Sequence, residues 1–161
     1  MVGVAVKRQF IMHDIICPQK YQLNVGRFNQ VMQYKDIDAI IHLAAETDHE
    51  YCDENPSQCY FINTIGTANI VELAKRHSIP IIYVSAGSIF DGVKETPYTS
   101  IDVPNPINHY NRSKYYGELI AKDYEGAYIV RAGWMFGGGE KVDKKFVNKL
   151  ITKIRNGEKD I

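Results

Sequence analysis

From Asp38 onward, short β-branched runs alternate with longer stretches of helical periodicity, and this alternation restricts the fold more than any other feature of the chain. Parallel strands need a crossover of a dozen or more residues, usually a helix, so repeated strand–helix units read as an α/β fold with a doubly wound parallel sheet. Residues 39–44 (Ala-Ile-Ile-His-Leu-Ala) are expected to form a buried strand. Across 56–77 the apolar residues Phe61, Ile62, Ile65, Ile70, Val71 and Ala74 recur at helical spacing, and Pro80 bars continuation. A second strand is expected over 80–85, a helix over 109–124 and a third strand over 127–131. A last helix over 143–156 follows the break at Gly137-Gly138-Gly139. The segment 86–108 is too long for a simple connector, and long loops in compact domains are usually functional.

The first ~35 residues carry weaker periodic signals. They suggest a helix over 4–10, a short strand over 14–17 and a helix over 28–35. A dinucleotide-binding domain opens with a strand running into a G-x-G-x-x-G-like turn, whose amides and helix N-terminus hold a pyrophosphate. The sequence has no such turn. Gly3 is read as its last glycine, with Val4-Ala5-Val6 continuing as the helix and the chain starting just after the phosphate loop.

Charge and cysteine content exclude several classes of function. Nineteen basic residues balance nineteen acidic ones with no long run of either sign, so there is no electrostatic footprint for nucleic acid or an anionic membrane. The chain lacks an apolar stretch of the ~20 residues needed to cross a bilayer, and its first ten residues lack a signal peptide's apolar core. Cys17, Cys52 and Cys59 are odd in number and lack metal-site spacing, which points to reduced thiols and a cytoplasmic protein. None of the five histidines forms a metal-ligand pattern. The acidic cluster Asp48, Glu50, Asp53 and Glu54 is read as the opening of a helix, where carboxylates suit the dipole. A small-molecule partner fits this surface best.

The chemistry-bearing pattern is Tyr110-x-x-x-Lys114. Four residues apart on a helix, both side chains project from one face and can meet one ligand. An unperturbed phenol has a pKa of roughly 10, and an adjacent ammonium lowers it, so Tyr110 is expected to exchange a proton with a carbonyl or hydroxyl group. The competing reading makes Tyr110 a half-buried aromatic and Lys114 its solvated neighbour. Of eleven tyrosines only Tyr110 has a lysine four residues later, and it follows the long loop.

Several segments, in order and spacing, resemble the dTDP-4-dehydrorhamnose reductase branch of the extended short-chain dehydrogenases/reductases. They are Ile41-His42-Leu43-Ala44-Ala45-Glu46-Thr47, Asn63-Thr64-Ile65-Gly66-Thr67, Ser85-Ala86-Gly87-Ser88-Ile89-Phe90-Asp91-Gly92, Tyr110-Asn111-Arg112-Ser113-Lys114 and Arg131-Ala132-Gly133-Trp134-Met135-Phe136-Gly137. The resemblance covers about 38–156. It implies one Rossmann-like NAD(P)-binding domain over 1–161, incomplete at both ends and without the family's C-terminal substrate lobe. Ala44, Ala45 and Thr47 would face NADP or NAD, with Thr47 equally readable as a packed strand end. Asn63 either organises the active-site region or bonds locally within its helix. Arg131 is placed on the cofactor side, and Trp134 either at the sugar nucleotide or in the core. Where the family has its catalytic Ser or Thr, this chain has Ala86, so Ser85 or Ser88 is expected to replace the hydroxyl.

The implied reaction is NAD(P)H-dependent reduction of the 4-keto group of a nucleotide-linked deoxysugar. In it Tyr110 donates the proton, Lys114 lowers the phenol's pKa and binds the nicotinamide ribose, and Ser85 or Ser88 polarises the carbonyl. The nucleotide sugar is the expected small-molecule partner, and a second copy of the chain, as a homodimer, the expected protein partner. A nucleotide-sugar epimerase or dehydratase, or a non-catalytic nucleotide-binding protein of the same fold, are the alternatives.

Overall fold

The computed structural model describes residues 2–138 and 146–158. In chain order its elements are α1 (Val2–Gln9), α2 (Phe28–Val31), β1 (Ile40–His42), α3 (His49–Glu54), α4 (Pro56–Tyr60), a π-helical turn (Phe61–Ile65), α5 (Gly66–His77), β2 (Ile81–Ala86), a 3₁₀ turn (Gly87–Ile89), α6 (His109–Lys122), β3 (Ala127–Ala132) and α7 (Phe146–Arg155). They fall into two compact units, one of residues 18–133 and one of residues 1–17 with 134–161. Among the described residues no helix is long and apolar enough to cross a membrane.

The larger unit is built on a three-stranded parallel sheet in the order β1-β2-β3. Ile40 lies opposite Ile81, and Ile81 in turn opposite Ala127. This is the Rossmann-like parallel sheet that the alternating pattern predicts. The sequential order puts both crossovers, α4–α5 and α6, on one face, because parallel crossovers are right-handed. On that face Ile81 and Tyr83 are fully buried with Ile70, Val71, Leu73, Ala74 and Ala121. The other face carries Ile82 and Val84 beside the exposed Tyr128 and Val130.

Helix ends follow local chemistry. Asp48 caps α3 by accepting from the Tyr51 amide at 3.1 Å, so the acidic cluster does open a helix. Ser78 ends α5 in the left-handed region at φ 52°, returning its amide to the last carbonyls. Asn108 caps α6, its Oδ1 accepting from the Asn111 amide at 2.8 Å. Gly117 lets α6 sit close on the sheet, because a Cβ there would lie 2.5 Å from the Tyr83 hydroxyl and 2.8 Å from the Asn63 carbonyl.

Three expectations need correction. Residues 14–17 form no strand, since none of the described residues pairs with them, and Ile16 is exposed. The helix expected over 28–35 stops at Val31, before a turn that reaches positive φ at Asp36. The helix over 56–77 contains the π-helical turn, which an apolar 3.6-residue period does not reveal. Gly139 and residues 143–145 of the last expected helix lie outside the described residues. In the smaller unit α1 begins at Val2, and Gly137 and Gly138 both adopt positive φ, at 117° and 85°.

Candidate functional site

The candidate site lies where α6 starts. The chain leaves β2 at the sheet's carboxyl edge, and α6 returns it to the start of β3, so Tyr110 and Lys114 stand on the edge where α/β sheets bind ligands. Their environments differ from the expectation. Lys114 is only 5% exposed, and its Nζ lies 4.4 Å from the centroid of the Tyr83 ring. The Tyr83 hydroxyl donates to the Lys114 carbonyl at 2.9 Å. Burial pulls the Lys114 ammonium down to about 8, against the opposing charge of Glu118.

Tyr110 is half-buried, and its ring packs in a tilted arrangement on His49, with centroids 4.3 Å apart and planes inclined by 32°. Burial pushes its phenol up, and the neighbouring Cys52 and Cys59 thiols push it the same way. The predicted lowering of the Tyr110 pKa by Lys114 is therefore corrected: the groups that set it are apolar surroundings and thiols, while the ammonium lies over Tyr83. A raised phenol is a protonated one at neutral pH.

Asn63, on the π-helical turn, reaches across to the loop after β1. Its Oδ1 accepts from the Glu46 amide at 2.8 Å, and its Nδ2 donates to the Glu46 carbonyl at 3.0 Å and to Ser113 Oγ at 2.9 Å. Ser113 donates onward to the Tyr110 carbonyl at 2.7 Å. One buried amide thus ties the loop after β1, at Glu46, to Ser113 on the helix that carries Tyr110. Ala44 and Thr47 are exposed there and Ala45 is half-buried, so small side chains leave the backbone open to a ligand. Below them His42 Nε2 meets Thr67 Oγ1 at 3.1 Å. Thr67 spends its own proton on the Asn63 carbonyl at 2.7 Å, so the imidazole must donate. Burial, with the Lys114 charge, drops the His42 pKa to about 3 and keeps it neutral.

The two candidate hydroxyls separate. Ser85 shares the Ile81 and Tyr83 face of β2, where its Oγ is buried without a hydrogen-bond partner among the described residues. It points into the α6 layer, which corrects its assignment as a carbonyl-polarising group. Ser88 is exposed and donates to Asn111 Oδ1 at 2.7 Å, one residue from Tyr110.

Arg131 also differs from its expected cofactor role. Its Nη2 and Nε donate to Glu118 at 2.7 and 3.1 Å, and its Nη1 to the Ser100 carbonyl at 3.1 Å. Burial pushes the Glu118 carboxyl up, but the Arg131 donors and charge, with Lys122, more than offset this and leave it below the usual range. A cavity of about 560 Å³ lies beside this pair, lined by Phe90, Tyr98, Lys122 and Ile129 among others, and includes neither Tyr110 nor Lys114. Trp134 belongs to the smaller unit, where it is 84% exposed and edges onto Phe146 at 5.5 Å. It is not a core residue.

Sequence reasoning missed His49, Tyr83 and Glu118. Glu118 had a readable signal: it follows Tyr110 and Lys114 at spacings of four, on the same helix face. Tyr83 and His49 had none, because each meets α6 only through the tertiary fold.

Comparison with known proteins now adds to this geometry. Residues 1–159 match the family described as RmlD substrate binding domain. Methionine adenosyltransferase 2 subunit beta of Xenopus laevis is 31% identical over 121 residues, which make up 74% of this chain and 36% of that protein. The dTDP-4-dehydrorhamnose reductase of Yersinia enterocolitica superposes with a TM-score of 0.86 at 32% identity, over 98% of this chain and 57% of that one. The Bacillus anthracis dTDP-4-dehydrorhamnose reductase, solved in complex with NADP, gives 0.85 at 28%, over 99% and 57%. The chain thus spans between about a third and somewhat over half of the relatives it matches. With the parallel sheet, the five motif segments and the match over nearly its whole length in agreement, this chain belongs to the RmlD substrate binding domain family.

Proposed function

We propose that this chain carries the proton-transfer part of an NADP-dependent reductase acting on the 4-keto group of a nucleotide-linked deoxysugar of the dTDP-4-dehydrorhamnose type. The observation that carries the reading is Lys114: a buried ammonium with no carboxylate ion-paired to it among the described residues, one helical turn after Tyr110. Burying an ammonium over an aromatic ring, without a carboxylate, is costly for a fold and suited to a ligand's hydroxyls or phosphates.

The residues present fit a nicotinamide cofactor at its ribose end. Lys114 offers charge and donors, and Ala44 and Ala45 allow close backbone approach at the end of β1. When bound, NADPH supplies a hydride to the carbonyl carbon. Tyr110 Oη gives its proton to the carbonyl oxygen, and the raised pKa of this phenol keeps it in the donor state at neutral pH. Asn63 holds the Ala44–Thr47 segment in register with α6, and the exposed Ser88 would have to turn its one hydroxyl proton from Asn111 Oδ1 to reach the same carbonyl. Ala86 supplies none. NADP is favoured over NAD by the cofactor in the Bacillus anthracis relative.

The test is NADPH consumption by the chain with dTDP-4-dehydrorhamnose. Stoichiometric oxidation is expected, and Tyr110→Phe should reduce turnover about 10²- to 10⁴-fold while nucleotide binding persists. Sugar isomerisation without net NADPH loss, or nucleotide binding with no turnover, would overturn the reductase reading.

A further inference from the structure

Four side chains hold the first turn of α6 against α3 and α4. Asp53 Oδ1 accepts from the His109 amide at 3.0 Å, the Tyr60 hydroxyl meets His109 Nδ1 at 3.3 Å, and Cys59 Sγ lies 4.0 Å from the His109 carbonyl. Three of these contacts fix His109. The fourth, from His49, is made to the Tyr110 ring itself, at 4.3 Å between centroids. The imidazole is also steadied at its edge, since His49 Nδ1 lies 3.5 Å from Nδ2 of Asn108, the α6 cap. An amide nitrogen only donates, so Nδ1 accepts there.

A tyrosine transfers a proton only while its hydroxyl stays at the reacting atom, and displacement by about 1 Å can cost 10²-fold in rate. Hydrogen bonds to the α6 backbone fix where the helix starts but leave the tyrosine's own torsions free. A ring stacked on Tyr110 restricts them.

We propose that His49 is a positioning residue that holds the Tyr110 ring in its proton-transfer orientation through their tilted ring-on-ring contact. The proposal rests on reading Tyr110 as the proton donor. It belongs to this sequence's own arrangement of α3 and α6, and the imidazole acts through Tyr110 without touching the substrate.

Two measurements on the full 161-residue chain test it. In the first, ring carbons of labelled tyrosine are followed by NMR, with Tyr110 assigned through Tyr110→Phe. His49→Ala should move the Tyr110 ring signal toward that of an unstacked tyrosine, and His49→Phe should keep it displaced. In the second, His49→Ala should lower kcat about 2- to 10-fold, the population effect of one aromatic pair, with the KM for the sugar unchanged, and His49→Phe should restore kcat. A Tyr110 signal indifferent to His49→Ala, or a loss of kcat that phenylalanine does not rescue, would overturn the proposal. Absence of turnover in the unsubstituted chain would defeat the reductase reading alone, and the NMR comparison would still decide for or against the stack.

Discussion

The two ends of one helix face treat buried charge in opposite ways. At Glu118 a fully buried carboxylate is met by a bidentate Arg131 and by Lys122 at 3.5 Å, and the pair holds the carboxyl ionised. At Lys114, one turn earlier, a buried ammonium is met by the face of Tyr83, and its proton is loosened to about 8. Ionic compensation makes Glu118 and Arg131 parts of the scaffold. Lack of it leaves the Lys114 charge over an aromatic face, with no carboxylate ion-paired to it among the described residues.

That contrast can be broken most forcefully at its compensated end. Arg131→Met leaves the buried Glu118 with only the more distant Lys122, at 3.5 Å, and should cost about 3–5 kcal/mol of stability in urea unfolding. Replacing Glu118 by Met as well should recover most of the loss, because an apolar pair of similar volume replaces a buried ion pair with little net cost. Next in size is Asn63→Ala, which strands the Glu46 amide and carbonyl. It should cost about 1–3 kcal/mol and speed hydrogen exchange at Glu46 while α5 keeps its protection.

The smallest effect has the opposite sign. Unfolded, the Lys114 side chain keeps its ordinary pKa of 10.5, whereas folded it titrates at about 8. Between those values the unfolded state binds the extra proton, so stability rises with pH from about 8 to 10.5, and below 8 the full cost of the buried charge is present. Lys114→Met should therefore stabilise the chain at pH 7 by on the order of 1 kcal/mol, the cation–π contact offsetting part of the gain. That advantage should vanish above pH 10.5.

The sheet was readable because a parallel strand buried by crossover helices must be nearly continuous and apolar, as Ile40-Ile41 and Ile81-Ile82 are. The same apolar signal misled at Ile15-Ile16, since β-branched residues become a strand only when another chain accepts their hydrogen bonds. The spacing of Tyr110 and Lys114 located the site, but spacing along a helix says nothing about what each side chain faces. Here the answers are His49, 61 positions before Tyr110, and Tyr83 on β2. Ser85 was within reach of sequence reasoning. With Ile81 and Tyr83 buried against the helices, the two-residue period of a strand puts Ser85 on their side and Ala86 on the other.

The most direct test is the titration of Lys114 itself, followed through the NMR signal of its labelled ε-carbon in the folded chain and assigned with Lys114→Met. A midpoint near 8 is expected from an ammonium buried over Tyr83 with no carboxylate ion-paired to it among the described residues. A midpoint at the ordinary 10.5 would show the charge to be solvated or paired, and would contradict the division of α6 into a compensated structural end and an uncompensated chemical one.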